Sequence, residues 1–311
     1  MLIDRITRQI IYYTWLLPLS KKNSLVRKSQ HENICIFAMG RGGSTMLMEA
    51  IQDGIKDSTT LIWEPLAAGG IKIKKLKKWN FYLQPYIPEE EKNIDLIQIF
   101  QSLFNRENLN LSLTYHNKNL FKVPFNKKFI YKFCRGNLLL PWLVNNFNIK
   151  SILILRSPYD VINSQINHNA YSELKKNPAF IIPQGTPYVE FFSNYQHILD
   201  KCNSPEEHLA IKWALNNLII NHKLNDRKWV TVYYEELLNN PKKEIDKINS
   251  RLQLDLDIES TLNSMKKVSR TGSSGKKGFL TSSQVDKINQ ILLDFDLLEF
   301  TKEHFPPPKV R

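Results

Sequence analysis

The run Gly40-Arg41-Gly42-Gly43-Ser44-Thr45 concentrates groups that can hold an anion. Its glycines allow the backbone to curl so that successive N–H groups converge. A helical pattern follows over Thr45–Gln52, with Leu47, Ala50 and Ile51 on one face, and a helix N-terminus favours negative charge. Arg41 adds a positive charge, and Ser44 and Thr45 add hydroxyls. The ligand that suits this set is a phosphate, or a phosphate bearing a sulfate. The Walker pattern G-x-x-x-x-G-K-[ST] is not met, because Ser44 follows Gly43 with no lysine, which disfavours an ordinary Mg-ATP site. The bland alternative is a glycine turn with no ligand.

A second set lies in Ile152-Leu153-Ile154-Leu155-Arg156-Ser157-Pro158 and continues to Ser164. A buried strand here delivers Arg156 at its C-terminal end, where ligands bind in open α/β sheets. Ser157 is placed to cap the next helix, Pro158 to take its first position and Asp160 to close a capping box. Arg156 and Ser164 can grip one phosphate together. The alternative is an arginine that only caps a sheet edge.

These groups need a frame. Continuous apolar runs at Asn33–Met39, Thr60–Trp63, Phe129–Phe133, Ser151–Leu155 and Val230–Tyr234 predict strands covered on both faces. Helical patterns alternate with them, at Leu138–Phe147, Pro158–His168, 204 to about 223, Asn240–Leu252 and Val285–Phe295. Ser204-Pro205-Glu206-Glu207 reads as a helix start. Ser264–Phe279 reads as a Gly/Ser/Lys loop, residues 70–127 as a heterogeneous basic insert, and 165–203 as a second, loop-rich one. The expected fold is α/β: a central parallel sheet with helices on both sides, of P-loop-containing nucleotide-binding architecture. Residues 1–30 form an N-terminal basic helix or extension, and 31–311 a single domain.

With 311 residues and 42% hydrophobic content, a buried core needs no staples. The net charge of +13 suits an anionic partner, or reflects an Asn-, Ile- and Lys-rich composition. Cys35, Cys134 and Cys202 are far apart and odd in number, and no close His pairing exists, so no metal site is expected. Free thiols point to a reducing compartment, and the cytoplasm is the expected location. The apolar run Ile10–Leu19 is too short to span a membrane. Ile3, Ile6, Ile10, Tyr13 and Leu17 fall at helical spacing. They predict a helix docked on the domain, or else an interfacial anchor aided by Arg5, Arg8, Lys21 and Lys22.

Taken together, the two motifs resemble the sulfotransferase family that uses 3′-phosphoadenosine 5′-phosphosulfate (PAPS). Gly40–Thr45 is similar to the family's 5′-phosphosulfate loop, R-S-G-[ST]-[ST], with Gly42 in place of its usual Ser. Arg156 through Ser164 is similar to its 3′-phosphate motif, R-D-P-x-x-x-x-x-S, with Ser157 for Asp. Trp63-Glu64-Pro65-Leu66 resembles the E-P stretch of carbohydrate-type members. Tyr234-Glu235-Glu236-Leu237 with Asn240-Pro241 resembles a late Y-E-D-L…P element. The resemblance spans residues 33 to about 300, with its motifs in the family's order. It implies PAPS as cofactor without a metal, Glu64 as the general base, and Arg41 with Ser44 on the leaving phosphate; the bland alternative is that Glu64 only pairs with a basic neighbour. Tyr234, a strand-end residue that is otherwise core, is a candidate nucleotide contact. Lys277 and Arg270 are candidates to complete the pocket, or belong to a solvated basic loop.

The activity expected from this resemblance is sulfuryl transfer from PAPS to a hydroxyl of a carbohydrate-like or glycolipid acceptor. The run Ile71–Trp79, with Lys72, Lys74, Lys75, Lys77 and Lys78, would guide an anionic acceptor or touch a membrane surface, the default being a solvated helix face. Two other readings stay open from the residues alone: a P-loop-like kinase, or a non-enzymatic basic protein that binds nucleic acid or membranes. No nucleic-acid motif supports the last.

Overall fold

The computed structural model describes residues 2–18, 32–67, 79, 85–107, 109, 111–114, 116–117, 119–168, 187–221, 228–267 and 278–305. In chain order its main elements are α1 (Leu2–Ile11), β1 (Glu32–Ala38), α2 (Ser44–Gly54), β2 (Thr59–Trp63), α3 (Ile94–Phe104), β3 (Lys128–Phe133), α4 (Leu140–Asn146), β4 (Lys150–Leu155) and α5 (Pro158–Ile166). Then follow α6 (Pro205–Asn221), β5 (Val230–Tyr233), α7 (Tyr234–Asn239), α8 (Pro241–Leu252), α9 (Ile258–Met265) and α10 (Ser282–Asp294).

The strands form one parallel sheet in the order β2-β3-β1-β4-β5. Alternate residues along each strand feed different cores. Ile34, Ile36 and Ala38 of β1 join Ile130, Ile152, Ile154 and Val232 under Leu47, Met48 and Ile51 of α2 and Ile245 and Ile248 of α8. Cys35 and Phe37 join Phe129, Tyr131, Phe133 and Leu153 under α3, α4, α5, α6 and α10. Burial on both faces is why the strands read as unbroken apolar runs. Phe37 stacks on Phe133, its partner in register, at 4.9 Å between centroids.

Several boundaries differ from the sequence expectation. Tyr234 opens α7 rather than closing β5. Ser264 lies within α9, where its hydroxyl donates to Asp53 Oδ2 at 2.8 Å, so the late loop starts beyond it. Pro187, expected in a loop, opens a short helix to Phe192. The start of α6 is as expected: Glu207 Oε2 accepts from the Ser204 N–H at 2.8 Å and from its hydroxyl at 2.6 Å.

The N-terminal helix is the larger correction. It does dock, but not through the expected stripe: Ile6, Ile10 and Tyr13 are exposed, while Tyr12 and Leu16 are buried. Arg8, Tyr12 and Leu16, spaced four residues apart, share the face that meets the domain. A π-helical turn over Tyr12–Leu16 continues the helix, with the Leu17 N–H bonded to Tyr12 O. Arg8 donates to Asn117 O at 3.1 Å and Tyr12 Oη to Leu109 O at 3.1 Å.

Asn117 also closes the open edge of β2. Its side chain accepts from Leu61 N at 2.8 Å and donates to Leu61 O at 2.8 Å, mimicking a neighbouring strand. Asn117→Ala leaves both buried strand groups unpaired, at a cost of about 2–4 kcal/mol. Urea unfolding monitored by tryptophan fluorescence measures this; an unchanged midpoint contradicts it.

Candidate active site

Strand ends converge on one edge of the sheet. β1 delivers the glycine loop, β4 Arg156, β2 Glu64, β3 Lys132 and Cys134, and β5 Tyr234 and Glu235. β1 is central and its connections leave to opposite sides, which opens a crevice at the strand C-termini.

The loop is a tight backbone turn. Gly42 N donates to Met39 O at 2.8 Å, and Arg41 and Gly43 take left-handed φ values of 76° and 96°. A Cβ on Gly43 would fall 2.3 Å from the Tyr234 ring. A Cβ on Gly42 would fall 2.8 Å from Met39 O, so glycine replaces serine here for want of space. Arg41 is not a glycine, and its strained backbone must be held from outside.

Three hydrogen bonds supply that hold. Arg156 Nη1 donates to Arg41 O at 2.9 Å, Gln165 Nε2 to Gly40 O at 2.8 Å, and Arg41 Nε to Ser164 Oγ at 2.9 Å. The structure thus brings together Gly40, Arg41, Gly42, Gly43, Ser44, Thr45, Arg156, Ser164 and Tyr234. Arg156 lies over the Tyr234 ring, 4.2 Å from its centroid, so Tyr234 is a platform for the guanidinium as well as a wall of the loop. Arg156 Nε is buried and has no hydrogen-bond partner among the described residues. A buried guanidinium donor left over in a crevice is what an incoming anion would satisfy.

Ser157 caps α5 by accepting from Asp160 N, but the expected capping box is not closed by Asp160. The Ser157 N–H donates instead to Glu235 Oε1 at 3.0 Å. Burial pushes the Glu235 carboxyl above its ordinary range, and Arg156 and the Ser157 bond act against this. Glu235 therefore ties β5 to the Arg156 turn, a link across sequence that no local pattern reveals.

On the other flank, Glu64 follows β2 with a left-handed φ of 47°. Its Oε1 pairs with Lys132 Nζ at 3.0 Å and its Oε2 accepts from Cys134 N at 3.0 Å. Lys132 Nζ also lies 3.5 Å from Thr45 Oγ1, at the start of α2, and 3.2 Å from the Trp63 ring centroid. Sequence reading missed Lys132, although a lysine inside the buried run Phe-Ile-Tyr-Lys-Phe was a signal. Cys134 Sγ sits 3.4 Å from Ser44 Oγ. Burial, reinforced by Glu64, pushes its thiol up to about 12, so it stays protonated and is no nucleophile at neutral pH.

An open cleft of about 310 Å³ is lined by Ser157, by Asp160 and Asn163 of α5, and by Phe279, Leu280 and Phe305. Asn167 donates to Gly278 O at 3.3 Å, which seats the described end of the late loop on the α5 side. Lys277, Arg270 and the lysines from Lys72 to Lys78 lie outside the described residues. Among the described residues no His, Cys, Asp or Glu cluster is suited to a metal ion.

The arrangement defines an anion-handling α/β enzyme with a glycine loop flanked by two cations, half-buried Arg156 and buried Lys132. The model of the sulfotransferase domain matches residues 31–292, and the chain belongs to the sulfotransferase family. A comparison with curated proteins gives no match. Among solved structures, the chain is similar to mouse sulfotransferase SULT7A1 complexed with PAP (15% identity, 95% of each chain, TM-score 0.48). It is also similar to the sulfotransferase domain of the Synechococcus PCC 7002 olefin synthase (18% identity, 91% of this chain and 99% of that one, TM-score 0.41). A third is retinol dehydratase in complex with androsterone and PAP (15% identity, 92% and 88%, TM-score 0.38). The family assignment rests on the match over 31–292, not on these distant likenesses.

Gly43→Ala is expected to displace Tyr234 and the loop together. Nucleotide binding by calorimetry should fall below detection, with a lower melting temperature; binding at wild-type affinity contradicts the packing argument.

Proposed function

We propose that this chain moves a sulfuryl group from PAPS to a hydroxyl of a carbohydrate-like or glycolipid acceptor. The observation that carries the reading is the pair of cations on opposite flanks of one glycine loop: half-buried Arg156 with an unpartnered Nε, and buried Lys132 beside Thr45 and Glu64. A donor with two separated anionic groups matches that layout better than a single phosphate does.

PAPS supplies the sulfuryl group on a phosphate leaving group. The residues' own tasks follow from their positions. Arg156 and Ser164 hold the 3′-phosphate, and Arg156 has a donor to spare. The amides of Gly42, Gly43 and Ser44, with the hydroxyls of Ser44 and Thr45, hold the 5′ end at the N-terminus of α2. Lys132 lies where negative charge develops on the leaving oxygen. Arg41, already bonded to Ser164, positions the loop and adds charge. Glu64 keeps free lone pairs beside its bonds to Lys132 and Cys134, enough to take the acceptor's hydroxyl proton. Tyr234 keeps Arg156 flat, and Lys277 is proposed as a further cofactor contact.

The carbohydrate-type acceptor is supported by the placement of Glu64 directly after Trp63, at the rim of the loop. The free thiols of Cys35, Cys134 and Cys202 support a reducing, cytoplasmic setting.

The test is transfer of labelled sulfate from PAPS to a panel of oligosaccharides, glycolipids, steroids and phenols. Transfer to sugar hydroxyls is expected, and Glu64→Gln should lower turnover by about a hundredfold or more while bisphosphate binding is kept. Transfer to steroids or phenols alone overturns the acceptor, and unchanged turnover in Glu64→Gln overturns the base. Because Gln leaves Lys132 without its counter-charge, a melting curve accompanies the assay.

A further inference from the structure

We propose that α1 and the turn after it seat this enzyme on the surface of an anionic membrane. The observation is an amphipathic helix mounted with its apolar stripe outward. Ile6, Ile10 and Tyr13 are 48%, 57% and 66% exposed, whereas the helix is fastened to the domain from another side by Tyr12, Leu16 and Arg8. A helix that could bury its apolar stripe in the core and does not leaves that stripe for another apolar phase.

The same segment presents aromatic residues of the kind that favour a membrane–water boundary. Trp15 packs edge-on against Phe121 at 5.9 Å and near Phe125 at 6.5 Å, and all three remain substantially exposed. The Trp15 indole N–H donates to Phe121 O at 3.3 Å, which fixes the ring without burying it.

Charge selects the partner. The first 31 residues hold Arg5, Arg8, Lys21, Lys22, Arg27 and Lys28 against the single acid Asp4. Exposed Lys122 follows Phe121, and Lys127 lies close after Phe125. Apolar side chains flanked by cations bind weakly to neutral lipid and well to anionic lipid. No helix among the described residues is long and apolar enough to cross a membrane, so attachment is along the surface. A second copy of the chain fits less well, since each copy would bring the same positive charge to the contact.

The attachment point is the β2 edge. α1 is bonded to Asn117, and Asn117 to the backbone of Leu61, three residues before Glu64. The helix therefore holds the enzyme by the flank that carries the proposed base.

The test is co-sedimentation of the whole chain with phosphatidylcholine vesicles, with and without phosphatidylserine, beside the variant I6D/I10D. Both positions are exposed, so the fold and bisphosphate binding should be kept. Retention on anionic vesicles is expected. It should weaken by about tenfold or more in the variant and fall as salt rises from about 0.1 to about 0.5 M. Equal retention of wild type and variant, equal retention on neutral vesicles, or no retention at all overturns the proposal. So does a dimer by sedimentation velocity that I6D/I10D dissociates, because a second copy would then cover the stripe.

Discussion

Everything at the site depends on the grip that α5 and the end of β4 exert on two backbone carbonyls. Gly40 O and Arg41 O are held by Gln165 and Arg156, and Arg41 in turn by Ser164. Without that grip, a non-glycine residue at a φ of 76° would relax and the loop amides would no longer converge. The hold is also economical in charge: one nitrogen of Arg156 fixes the loop while its buried Nε has no hydrogen-bond partner among the described residues. The same side chain thereby links the loop backbone to the end of β4.

The second constraint is electrostatic. Lys132 is buried to within 5% and sits between the Glu64 carboxylate, the Trp63 ring and Thr45. A buried ammonium is stable only when paired, and removal of one partner from such a pair costs roughly 3–5 kcal/mol. The ion pair holds the lysine beside the loop and also fixes Glu64, whose other oxygen is bonded to Cys134 N. Glu64, Lys132 and the start of α2 are thus one hydrogen-bonded unit, built from β2, β3 and α2.

Much of this was legible in the sequence where the signal is local. Apolar runs marked the five strands because both faces are buried, and the glycine loop and Arg156–Ser164 carried their own spacing. What escaped depends on contacts distant in sequence. Lys132 was hidden because periodicity says where a strand runs but not what its one charged residue meets. Glu235 was hidden because its bond to Ser157 spans 78 positions and displaces a local cap that looked sufficient. The N-terminal helix was read correctly as a helix and wrongly as to its buried face, since periodicity marks an apolar stripe but not which face meets the domain, and here Arg8, Tyr12 and Leu16 do.

The central claim is that the loop and Arg156 form a site for a nucleotide bearing both a 3′-phosphate and a 5′ anion. Calorimetric titration with adenosine 3′,5′-bisphosphate, beside 5′-AMP and Mg-ATP, tests it on wild type and Arg156→Ala. The account predicts tight binding of the bisphosphate, at least about tenfold weaker binding of 5′-AMP, and a loss of that preference in the variant. Mg-ATP binding as tight as the bisphosphate, or no binding of any of the three, would contradict it.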